Sequence, residues 1–133
     1  MKLIFLVGRV LFSLIFIIKP LEHFTGQLVV FANSMGVPMA NISVPLWGIV
    51  GLIGGLSVLL GFRAKIGAWL IVVFLLPLTF YMHPFWSFAT FFAETMHGYC
   101  FWKNISLIGA ALMITYFGSG PMSLDGAGQQ QQK

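Results

Sequence analysis

Both glutamates and all three histidines of this chain, Glu22, His23, His83, Glu94 and His97, fall into two short stretches, and these are the side chains with which it could exchange protons or ligate a metal. The histidines are 60 and 14 residues apart (23 to 83, 83 to 97), which matches no compact ligand motif, so no metal centre is expected. Cys100 is the only cysteine, which excludes an intramolecular dithiol relay. There is no phosphate-binding glycine motif, nucleophile elbow or paired carboxylate. What remains is hydrogen bonding and proton exchange, with Tyr81 and Trp86 flanking His83 and Lys103 following His97. Glu22, His23, Tyr81, His83, Trp86, Glu94, His97 and Lys103 together form the candidate polar site.

The elements that must position these residues are four apolar stretches, Leu3–Ile18, Val44–Phe62, Ile66–Met82 and Trp102–Phe117, interrupted only by Arg9 and Lys103. Each is near the short limit for crossing a bilayer, and basic side chains at the ends can extend the reach by snorkelling. Over the 133 residues, 59% are hydrophobic and 8% charged, where a soluble domain carries about 25% charged. The net charge of +4 is not gathered into a Lys/Arg run, so it suits anionic lipid headgroups rather than nucleic acid. The composition describes a small integral membrane protein. No b-type haem is expected, because no histidine lies mid-span. Lys19-Pro20 follows the first stretch without a cleavage site, so that stretch reads as an uncleaved span.

An even number of spans puts the first and third connections on one face, with the glutamates and histidines there. Lys2, Arg9, Arg63, Lys65 and Lys133 gather at the other face, against Lys19 and Lys103. The positive-inside rule then places both termini in the cytoplasm and the Glu/His face outside it, periplasmic in a bacterium.

Local patterns refine the picture. Gly48, Gly51 and Gly55 line a groove on the second span that lets a neighbouring helix approach closely, with Ser106 and Ala110 on the fourth span as a weaker counterpart. Pro77 is expected to bend the third span. In the third connection Ser87, Thr90, Glu94 and His97 share one helical face, and Phe85, Phe88, Phe92 and Met96 the opposite one. That spacing predicts a short interfacial helix ended by Gly98, serving as an anchor or as a lid over a pocket. In the first connection Leu28–Phe31 reads as a dip toward the bilayer before Gly36-Val37-Pro38 turns the chain. The transmembrane domain covers residues 1–124, and 125–133, with four glutamines, reads as a disordered polar tail.

A set of motifs in order along the chain resembles the DoxX family of small bacterial membrane proteins. It comprises Gly8-Arg9, Gly36-Val37-Pro38, Gly54-Gly55 with Leu60-Gly61-Phe62-Arg63, His83-Pro84-Phe85-Trp86, Phe101-Trp102-Lys103-Asn104 and Gly118-Ser119-Gly120-Pro121-Met122-Ser123-Leu124-Asp125. The resemblance implies an all-α bundle of four transmembrane helices in the bacterial inner membrane. It also implies a link to redox complexes, since the family takes its name from a subunit of a thiosulfate:quinone oxidoreductase. Relatives place a lysine where this chain has Glu22-His23, and a glutamate where it has Gly51.

A quinone headgroup sits near the membrane surface and takes up protons with its electrons, so grouped histidines with nearby aromatics suit it. No cofactor is expected to be intrinsic, and the electrons must come from a partner. The sequence thus reads as a membrane subunit of a redox or quinone-linked complex. The alternative is a scaffold subunit for a membrane or periplasmic partner, or a homo-oligomer; a small-molecule transporter is disfavoured because spans two and three carry no mid-membrane charge.

Overall fold

Residues 1–126 are described by a computed structural model. The helices are α1 (Lys2–Ile18), α2 (Gly26–Ser34), α3 (Ala40–Leu60), α4 (Ala64–Met82) and α5 (Phe91–Phe117). A 3-10 segment, Lys19–Phe24, extends α1, and a 3-10 turn, Phe85–Ser87, links α4 to α5. No strand occurs among the described residues. Among the described residues, four segments are long and apolar enough to cross a membrane: Lys2–Phe24, Ala40–Leu60, Ala64–Ser87 and Phe91–Phe117. Their outer faces are apolar, with Leu11, Ile53, Trp69, Val73 and Met113 all more than half exposed, a surface that lipid must cover.

The central pair is α3 and α4, with α1 packed on α3 and α5 on α4. Glycines set the spacing of this pair. A Cβ at Gly54 would lie 2.9 Å from the Gly67 carbonyl oxygen, and one at Gly67 would lie 3.0 Å from that of Gly54. Gly51 accepts the Phe74 ring on the same side, where a Cβ would lie 3.0 Å from the nearest ring carbons. On the other side Gly55 lies under the Phe16 backbone of α1, and Gly48 under Pro20 and His23. The glycine groove therefore packs inside the bundle and serves two neighbours. Ser106 and Ala110 are not its counterpart: Ser106 is exposed, and Ala110 lines a cleft between α1 and α5. Phe16, Val58, Ile71, Phe74, Leu75 and Ala111 fill the main core.

Helix ends explain the turns. Val37 N–H bonds Ala32 O at 3.0 Å and Gly36 N–H bonds Asn33 O at 3.1 Å, with Gly36 at φ +78°. This is a Schellman stop, and Val37 packs against Ala32, Ala40, Val44 and Met82. The dip expected at Leu28–Phe31 is thus a full helix under the bundle end. The second span begins at Ala40, before Pro45, rather than at Val44.

The segment after Ser87 departs from expectation. The short helix between the third and fourth spans is the single turn Phe85–Ser87, and Gly98 ends nothing, because it lies inside the continuous α5. Thr90 starts that helix, its Oγ1 accepting from Ala93 N–H at 3.4 Å. Stopping at Gly98 would leave carbonyls without donors close to the hydrocarbon, a larger cost than the ~1 kcal/mol of one helical glycine.

At the terminus end the chain after α5 folds back over the bundle. Arg9, which is 8% exposed, donates to Ser119 O and Met122 O, each at 2.6 Å. Asp125 N–H bonds Gly61 O at 3.0 Å, and its carboxylate accepts from Arg63 N–H at 2.9 Å and Ala64 N–H at 3.3 Å, capping α4. Partial burial opposes ionisation of Asp125, but these two amide bonds, the Ser119 hydroxyl and the Arg63 charge outweigh it and hold its pKa below the usual carboxylate value. Asp125 and Gly126 are docked; residues 127–133 of the tail lie outside the described residues.

Candidate functional site

The first and third connections meet at the end opposite the termini, as their shared face required. Phe31 from α2 stacks on His97 of α5 with ring centroids 6.4 Å apart. His83, the residue just past α4, has its Nδ1 3.1 Å from His97 Nδ1. His97 Nδ1 is also 3.1 Å from the Met82 carbonyl oxygen. Phe88 also lies flat against His97, centroids 4.0 Å apart and planes 18° from parallel.

This geometry fixes the protons of the neutral pair. A carbonyl oxygen only accepts, so the proton belongs on His97 Nδ1, where it is shared between Met82 O and the lone pair of His83 Nδ1. His83 must then carry its own proton on Nε2, and His97 Nε2 must be a lone-pair acceptor. Neither Nε2 has a partner among the described residues, and neither is sealed from the surface. The pair therefore leaves one donor, His83 Nε2–H, and one acceptor, His97 Nε2, without a partner among the described residues.

The other candidate residues make no hydrogen bond to the pair among the described residues. Glu22 forms an exposed ion pair with Lys19 at 2.7 Å. His23 is buried between Gly48 and Phe74, its Nδ1 3.4 Å from Lys19 O and its Nε2 enclosed without a partner. Tyr81 lies beside Trp47, with centroids 6.5 Å apart, and Trp86 packs edge-on against Phe85 and Phe101. Glu94 is exposed in the first turn of α5, where a negative charge suits the helix dipole. Lys103 faces a shallow depression with Tyr99, Trp102 and Ser106.

Phe88 is the residue that sequence periodicity misplaces. The spacing sets it opposite His97 on one helix, but it precedes that helix in extended conformation, φ −91° and ψ 136°, and folds onto the imidazole. Asn104 stands out in the sequence only within the Phe101–Asn104 motif, yet it is 3% exposed with its Nδ2 unpartnered. A polar residue within an apolar span is the available signal for it.

The DoxX family model matches residues 4–84, more than half of the chain. This chain belongs to the DoxX family. Two Escherichia coli (strain K12) relatives extend the likeness: "Inner membrane protein YphA", 30% identical over 122 residues that cover 90% of this chain and 86% of the relative, and "Inner membrane protein YqjF", 30% identical over 122 residues covering 90% and 88%. No solved structure matches significantly. In this DoxX chain the family match reaches His83-Pro84, so it includes one member of the histidine pair and stops short of the other.

Proposed function

We propose that this protein is an inner-membrane subunit of a redox or quinone-linked complex, in which the His83–His97 pair contacts a quinone headgroup. The donor and acceptor that the pair presents carry this reading. A quinone carbonyl would accept from His83 Nε2–H, and a hydroquinone hydroxyl would donate to His97 Nε2. Phe88 and Phe31 hold the His97 ring in place by stacking. Reduction of a quinone consumes two electrons and two protons; the electrons come from a partner, and the histidines hand on protons. The names of the two relatives favour the inner membrane, and the basic residues at the terminus end favour cytoplasmic termini.

The test is quinone content of protein extracted in mild detergent, followed by titration with a short-chain quinone. His83→Ala is expected to weaken binding about tenfold, the loss of one hydrogen bond. Protein that carries no quinone, and binds none at micromolar concentration, overturns the reading.

A scaffold role is the second reading, favoured by the exposure of Phe91 and Phe92, 85% and 75%, at the start of α5. In that case making those two residues polar releases a co-purifying partner, while His83→Ala does not.

A further inference from the structure

The terminus end contains a seam that the histidine pair does not use. Between α1 and α5, Phe5, Phe12, Ala110, Met113 and Phe117 line an apolar cavity of about 360 Å³ with Arg9 in its wall. A Cβ built on Gly8, which also lines it, meets nothing within 4 Å, so the groove is wide there. A second cavity of about 740 Å³ adjoins it, sharing Phe117, Gly118 and Ser119 and lined by Arg63, Lys65 and Asp125. A Cβ at Gly118 would lie 3.3 Å from Lys65 Cε, so the lysine chain runs along the rim common to both cavities.

The charges at this seam are unbalanced. Arg63 and Lys65 are exposed, and neither side chain makes an ion pair among the described residues. Arg9 is bonded to carbonyls alone. Among the described residues the one carboxylate nearby is Asp125, and both its oxygens are engaged by the amides of Arg63 and Ala64. Three cations thus stand against a single, occupied acid, next to an apolar slot that opens beside them.

We propose that this seam binds one anionic phospholipid, its phosphate held by Lys65 and Arg63 and one acyl chain lying in the groove between α1 and α5. Basic pockets between transmembrane helices recognise such headgroups. A free phosphate would use only the cations and leave the groove empty. A zwitterionic lipid would bring an ammonium to a rim whose acid is already bonded. The site lies at the opposite end from the histidine pair and stands whether or not a quinone binds there.

The experiment uses the full chain, purified in neutral detergent, with thermal unfolding and native mass spectrometry as readouts. Dioleoyl phosphatidylglycerol is expected to bind at one per chain and raise the unfolding temperature saturably. Dioleoyl phosphatidylcholine and glycerol phosphate are expected to do neither. Lys65→Gln, at an exposed position that leaves the fold intact, should weaken the lipid about fivefold, the effect of one surface cation. Ala110→Phe should weaken it by filling the groove while every charge stays in place. Equal binding of phosphatidylcholine shows only a general lipid coat, and equal binding of glycerol phosphate shows only an anion site; either overturns the proposal. So does unchanged selectivity in Lys65→Gln.

Discussion

At the terminus end Arg9 donates through Nη1 and Nη2 to two carbonyls of the closing segment and Asp125 accepts from two amides, so both residues are tied into the fold, although Arg9 Nε has no partner among the described residues. At the histidine end the reverse holds: His23 Nε2 is enclosed without a partner, and the Nε2 atoms of His83 and His97 are unengaged among the described residues. Buried polar groups that are satisfied stabilise and specify a fold, an enclosed one such as His23 Nε2 costs stability, and unpaired ones that reach the surface are available to a ligand. Arg9 and Asp125 should therefore answer to mutation through stability, and the His83–His97 pair through binding.

The largest expected effect is at Arg9. Arg9→Met removes two charge-assisted hydrogen bonds and should lower stability by about 2–4 kcal/mol, read as the unfolding temperature in detergent. A loss no greater than that of His83→Ala would erase the contrast between the ends. Next comes Gly55→Leu, midway between them. Its Cβ would meet the Phe16 carbonyl oxygen at 2.7 Å and carbonyl carbon at 2.9 Å, backbone atoms that cannot step aside. A cost of about 3 kcal/mol is expected; unchanged stability would mean that α1 is free to move off α3.

Asp125→Asn should cost about 1 kcal/mol, as the loss of a helix cap does. Because the folded pKa of Asp125 is lowered, its contribution is present above the ordinary carboxylate value and is lost as pH falls through the folded one. The stability difference between wild type and Asp125→Asn should accordingly shrink on acidification, and a difference constant across that range would contradict the cap. The smallest stability effect is His83→Ala, within about 1 kcal/mol, with its consequence confined to quinone affinity.

The spans and the grouping of histidines at one end are legible in the sequence because hydropathy and helix parity alone determine them. Residue-level pairing is less so. Arg9 lies 110 residues before Ser119, and no local pattern announces that contact, although Gly8-Arg9 and the Gly118–Asp125 segment are both visible as motifs. Gly98 misleads because glycine stops helices readily in water, where freed carbonyls find partners, and poorly beside lipid, where they do not. Of the candidate site, His83 and His97 do share one face and meet there, but Glu22 and Lys103 turn to the surface. Long charged side chains follow solvent and headgroups rather than the residues nearest in sequence.

The bond from Arg9 to the closing segment also orders events during synthesis. The ribosome delivers the cation of the first span long before Ser119 and Met122, the residues whose carbonyls receive it. Until those last residues arrive, the inserted chain holds an arginine in its first span without its acceptors. A nascent product cut short before Ser119 lacks both carbonyls and leaves Arg9 without these acceptors.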